Sequence, residues 1–142
     1  MSNDSTVPCE EAVNDIWRTV LNFHLSLGLP IADAPQLLAS RRTQARSKWM
    51  REELDEFDSA VTISQQADAM VDLMYLAIGT LVEMGVPPGR VFEIVHVANM
   101  AKRWPDGAIR LDEEGKILKP PAWASPDQQI DDYVLGLSSA IR

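Results

Sequence analysis

Two acidic clusters lie close together between Lys48 and Tyr75, and their spacing is that of groups able to share a cation. Glu52, Glu53 and Glu56 form the first cluster; Asp68 and Asp72 form the second. Residues three or four apart lie on one face of a helix, so Glu53 pairs with Glu56 and Asp68 with Asp72. Like charges placed this way repel, and a divalent cation among them removes the repulsion. An all-oxygen donor set suits Mg²⁺ or Mn²⁺; soft or tetrahedral donors for zinc are not in view. The competing reading of the glutamates is a solvated helix face balanced by Lys48 and Arg51. Asp68 and Asp72 are harder to dismiss, because Ala67 to Val82 is apolar around nearly its whole circumference and predicts a buried helix. A buried carboxylate must neutralise, pair or bind a metal.

The elements that position these groups are helical. Val13, Ile16, Trp17, Val20, His24 and Leu27 recur at three and four and predict a first helix from Glu10, ending at Gly28 before Pro30. A second helix is expected from about Ser40 to Val61, with Met50, Leu54, Phe57 and Val61 as its apolar stripe. At 100° per residue Glu53 falls roughly 70° from the centre of that stripe and Glu56 about 130°, on the same side. Glu52 points further out, and Arg42, Arg46 and Trp49 continue the flank. Thr62 to Gln66 is a short connection, with Ser64 expected as the N-cap of a third helix that stops near Gly85. So short a connection makes the second and third helices antiparallel neighbours, with their acids able to face one another. Pro87 and Pro88 suit the start of a fourth helix, to about Lys102, burying Val91, Ile94, Val95 and Ala98.

Beyond Trp104-Pro105 the composition is that of loops, with Gly107, Gly115, Pro120, Pro121 and Pro126. A small hairpin is expected between Ile109–Leu111 and Lys116–Leu118, and a last short helix over Ile130–Leu137. The expected fold class is all-α: a bundle of four to five helices over about residues 10–104, with an extended C-terminal arm over about 105–142, in one 1–142 domain. Ser2 to Pro8 reads as a frayed start. The single Cys9 allows no internal disulfide and points to a reducing, cytoplasmic setting. No secretory leader is evident, and Asp72 and Glu83 interrupt the longest apolar run, so no membrane partner is expected. A net charge of -8 argues against a nucleic-acid partner, whose phosphates need Lys and Arg. It leaves room for a nucleotide, because a gathered cation reverses the local field.

Other chemistries fit less well. Glu93-x-x-His96 has the spacing of one di-iron half-site, but His24 follows Leu21 at the corresponding spacing and the second half-site is missing. His96 therefore reads as a surface or interface histidine. No P-loop, G-x-G-x-x-G, H-E-x-x-H or nucleophile constellation occurs.

In order and spacing, the segments resemble the all-α NTP pyrophosphatase superfamily, the MazG-like and phosphoribosyl-ATP pyrophosphohydrolase-like proteins. The stretches that carry the resemblance are Glu52-Glu53-Leu54-Asp55-Glu56, Asp68 through Tyr75, Val95 through Lys102, and Gly115-Lys116-Ile117-Leu118-Lys119-Pro120. It implies a bundle completed by dimerisation, as a homodimer or a dimer of dimers. It also implies Mg²⁺ as cofactor, with Mn²⁺ as a substitute, held by an E-x-x-E pair and an acidic pair on the next helix. Glu53, Glu56 and Asp72 match; Ala69 stands where the family has the remaining glutamate, and Asp68 is the nearest substitute. The implied reaction is hydrolysis of a nucleoside triphosphate between its α and β phosphates, on a pyrimidine deoxynucleotide such as dUTP or dCTP. On that reading Glu52 serves the attacking water beside the metal-bound Glu53. Asn99, Lys102 and Lys119 meet phosphates, and Trp49 or Tyr75 lies near the base. The competing class is a non-enzymatic helical oligomer or partner-binding module with a degenerate acidic site.

Overall fold

A computed structural model describes residues 9–139; the expected frayed start, Ser2 to Pro8, lies outside the described residues. Five helices follow one another: α1 (Glu10–Leu27), α2 (Ser40–Ser59), α3 (Ile63–Met84), α4 (Gly89–Met100) and α5 (Asp127–Ser139). The chain is all-α, as expected. None of the described helices is long and apolar enough to cross a membrane.

Local chemistry sets the helix ends. α1 closes at Gly28, whose φ of 67° turns its N–H back to the carbonyls of His24 and Leu25. Gly85, with φ 69°, closes α3 in the same way. A residue with a Cβ is strained in this left-handed conformation, so glycine favours both stops. Between α2 and α3 the expected cap is corrected: Thr62, not Ser64, is the N-cap. The Gln65 N–H donates to the Thr62 hydroxyl at 3.2 Å, and the Thr62 N–H donates back to the Gln65 side chain at 3.1 Å. This reciprocal box satisfies two otherwise orphaned donors and outcompetes the lone serine inside the first turn. It also ends α2 at Ser59, two residues before Val61.

The arm differs from expectation in detail. In place of a hairpin there is one antiparallel bridge, Leu111 to Ile117. The Asp112 carboxylate accepts the N–H groups of Glu114 and Lys116 at 3.0 and 2.8 Å, so side-chain bonding tightens the turn instead of a strand ladder. The last helix is longer than Ile130–Leu137, and α4 stops at Met100, short of Lys102.

α3 is the central element: α2 packs antiparallel along it and α1 packs on another side, while α4 packs on α1 and α5 returns along α4. The buried apolar core is small, comprising Val20, Ala69, Val82, Val86 and Ile94. The expectation that α3 is buried all round is corrected. Val71, Met74 and Tyr75 are 57, 51 and 37 % exposed, so among the described residues little covers the face they occupy. Val95 on α4 is likewise exposed.

α3 does contain a buried acid, but that acid is Glu83, 2 % exposed. Arg42 forks onto it with Nε to Oε2 at 2.8 Å and Nη2 to Oε1 at 2.6 Å. Arg46 adds Nη1 to Oε1 at 3.2 Å, then donates from Nε to the Thr80 hydroxyl at 3.0 Å and from Nη2 to the Leu76 carbonyl at 2.6 Å. The Glu83 hydrogen bond strengthens the hold of Arg42 on its proton, whereas burial pulls Arg46 the other way with Glu83 opposing it. Gly79 makes room for this crossing: a Cβ there would stand 2.5 Å from Arg46 Nη2 and 3.0 Å from His24 Nε2. Buried His24 is itself fixed by its Nδ1–H donating to the Pro30 carbonyl at 2.8 Å.

Removing one partner of a buried ion pair strands the other charge, at a cost of about 3–5 kcal/mol. Glu83→Ala is therefore expected to lower unfolding stability by about that amount. Chemical denaturation checks this; a loss below about 1 kcal/mol, the scale of an exposed pair, contradicts the buried lock.

Candidate active site

The Arg46 to Leu76 contact sets the register of the α2–α3 pair. Seven residues on along α2 from Arg46 is Glu53; seven back along α3 from Leu76 is Ala69. Glu53 thus comes opposite the segment bounded by Asp68 and Asp72, and Glu56 comes nearer the turn. A cleft of about 180 Å³ there is lined by Glu56, Ser59, Ala60, Gln65 and Asp68. Glu56, Asp72 and Asp68 all lie near enough to Glu53 for their charges to act on it. Ala69, where the resemblance expects a glutamate, is instead buried in the core.

Glu53 carries the clearest electrostatic mark. Its Oε2 is buried with no hydrogen-bond partner. Desolvation raises its pKa, and the charges of Glu56, Asp72, Asp68 and Glu52 raise it further. The residue as a whole is half-buried, so one oxygen is shielded while the carboxylate keeps an open side. Glu56, Asp68 and Asp72 are exposed. Among the described residues no three Asp, Glu, His or Cys side chains form a ready-made metal cage. The donor set nevertheless fits a hard divalent cation: all oxygen, mutually repelling, with one buried oxygen unmet.

Glu52 is exposed and lies 3.9 Å from Lys48, outside the inner face as its spacing predicts. The Trp49 ring faces two guanidinium groups, Arg42 at 5.0 Å and Arg46 at 5.4 Å from its centroid. Tyr75 packs edge-on against Phe23, with centroids 5.3 Å apart. It also borders a cavity of about 170 Å³ with Ile16, Thr19, Val20, Val71, Met74 and Ile78. Glu93 pairs with Arg90 on its own helix at 2.5 Å, and His96 is exposed.

Lys102 and Lys119 come together elsewhere. Their ammonium groups lie 5.6 and 4.7 Å from the centroid of the Trp123 ring, and the Trp123 indole N–H donates to the Ala98 carbonyl at 2.7 Å. Asn99 follows Ala98 and is exposed. Sequence reasoning missed this role of Trp123, and a tryptophan four residues after Lys119 was the available signal. It also missed the Arg42–Arg46–Glu83 lock, signalled by two arginines four apart and an acid interrupting an apolar run. α4, which the lysines follow, packs against neither α2 nor α3.

Comparison with known proteins gives the family. The family described as phosphoribosyl-ATP pyrophosphohydrolase matches residues 20–99, more than half of the chain, and spans both acidic clusters. Among solved structures, one described as that of a candidate NTP pyrophosphohydrolase from Exiguobacterium sp. 255-15 is 26 % identical. That match covers 90 % of this chain and 98 % of the other, with a TM-score of 0.49. No curated protein matches the chain. The chain belongs to the phosphoribosyl-ATP pyrophosphohydrolase family of the all-α NTP pyrophosphatase superfamily.

Proposed function

We propose that this protein is a Mg²⁺-dependent nucleoside triphosphate pyrophosphohydrolase that releases a nucleoside monophosphate and pyrophosphate. The observation that carries the reading is the unpartnered, buried Glu53 oxygen set among Glu56, Asp68 and Asp72. Those four carboxylates would hold the metal, with Mn²⁺ as a substitute. A bound Mg²⁺ supplies charge neutralisation for the triphosphate oxygens. Glu52 stands on the outer side of the cluster, where it orients a water and accepts its proton as the water oxygen bonds to phosphorus. The bridging bond between the α and β phosphates breaks, and pyrophosphate leaves. Lys102 and Lys119 balance phosphate charge, and Asn99 donates a hydrogen bond. The substrate class is a pyrimidine deoxynucleotide such as dUTP or dCTP, with nucleotide-pool house-cleaning as the role.

The site is completed by a second chain. The acids sit on α2 and α3, whereas the lysines follow α4, which packs against neither of those helices within one protomer. The surface supports the same conclusion. A compact monomer of 15.8 kDa is expected to expose about 7,300 Å², whereas this chain exposes 10338 Å². The excess of about 3,000 Å² per chain would be about 6,000 Å² over a two-chain interface, at the large end of the obligate class. The open α1 and α3 faces, with Ile16, Phe23, Val71, Met74 and Tyr75, supply the apolar part. Light scattering is expected to give a dimer, or a dimer of dimers, and a monomer at micromolar concentration contradicts the shared site.

The reaction is tested by incubating the protein with a panel of ribo- and deoxynucleoside triphosphates and Mg²⁺ and measuring pyrophosphate. Release is expected, fastest from dUTP or dCTP. Its absence with every nucleotide, in both Mg²⁺ and Mn²⁺, leaves the non-enzymatic binding module as the reading. Glu53→Gln is expected to lower turnover roughly 100-fold, the scale of losing one transition-state charge contact.

The same variant carries a pH signature. A carboxyl whose folded pKa is raised costs stability when ionised, so the cost is absent in acid and appears as pH rises through that pKa. Without divalent cations, Glu53→Gln is therefore expected to raise the Tm at neutral pH and leave it unchanged in acid. An unchanged or lowered Tm at neutral pH contradicts the crowding of charge at Glu53.

A further inference from the structure

A cleft of about 450 Å³ opens between the end of α4 and the C-terminal arm, bordered by Val97, Ala101, Pro105, Pro120, Trp123 and Arg103. Its size lies in the range of small-molecule sites, and its walls are mainly apolar with one cation. Trp123 forms a fixed wall, because its indole N–H is held by the Ala98 carbonyl. Lys102 and Lys119 stand at the same ring, so positive charge is concentrated here in a chain whose net charge is -8. An aromatic surface beside clustered cations recognises a flat ring that carries an anionic tail.

The other two aromatic candidates offer less. Trp49 is covered by guanidinium groups already committed to Glu83. The cavity at Tyr75 is about 170 Å³ and is lined without a cation. We infer that the Trp123 cleft is the nucleobase pocket of the nucleotide site, with the base against the indole and the phosphates drawing on Lys102 and Lys119. The choice of a nucleotide as the ligand rests on the proposed function. The assignment moves the base from Trp49 or Tyr75 to the arm and makes Trp123 a binding residue.

The test uses ¹⁵N-labelled full-length protein in EDTA, titrated with dUMP while the four indole N–H resonances are followed; Trp123→Phe identifies the Trp123 signal. A saturable shift of the Trp123 indole is expected, at least fivefold weaker with deoxyuridine or with deoxyribose 5-phosphate. Trp123→Ala is expected to weaken dUMP binding at least fivefold. Ala101→Phe narrows the cleft while leaving Trp123 in place, and is expected to do the same with helical content unchanged. Absence of a saturable shift at Trp123, full binding of deoxyribose 5-phosphate alone, or unchanged binding by Ala101→Phe overturns the pocket. The titration contains no divalent cation and reads no turnover. Pyrophosphate release without a Trp123 shift therefore refutes the pocket alone, and a Trp123 shift without pyrophosphate release refutes the reaction alone.

Discussion

The buried ion pair of Glu83 with Arg42 and Arg46 is the constraint on which the rest of the chain depends. It joins the start of α2 to the end of α3 at a depth where neither sign of charge could stand alone. Arg46 also reaches the Leu76 carbonyl and the Thr80 hydroxyl, and the Thr62–Gln65 box fixes the turn at the opposite end. With both ends held, α2 cannot slide along α3. A slip of one helical turn would carry Glu53 about 5.4 Å along α3, away from the aspartates whose charge it feels. The lock therefore positions the acids without belonging to their chemistry.

The two acidic regions of α3 differ in how their charge is met. Glu83 is surrounded by protein cations and hydrogen bonds, which makes it part of the fold. Among the described residues, Glu53, Glu56, Asp68 and Asp72 meet no such cations, and the one buried oxygen among them has no partner. Charge left unmet in a protein that must stay folded is a reservoir of binding energy for a cation. Fold and site thus use the same residue types in opposite ways along one helix pair.

Much of this was legible in the sequence. The 3.6-residue periodicities placed the helices, and Gly28 and Gly85 marked two ends, because a left-handed residue has few alternatives to glycine. The spacing of Glu53 with Glu56 and Asp68 with Asp72 gave the acid faces. The sequence did not reveal which acid of α3 is buried. Periodicity says that a helix is apolar all round, but not which face its own chain covers. Glu83 lies under α2, whereas Asp72 lies beside an apolar face that the described residues leave exposed. The arm was equally opaque: its loop composition was clear, but the docking of Trp123 on Ala98 depends on where α4 ends, and the structure ends it two residues early.

The central claim is that the acids of α2 and α3 together hold a divalent cation. Anomalous diffraction from crystals grown with Mn²⁺ and a non-hydrolysable triphosphate tests it most directly. The account predicts a manganese peak coordinated by Glu53, with Glu56 and Asp72 contributing oxygens and Asp68 on the same side. A peak away from these residues, or none in crystals where the triphosphate is bound, would contradict it.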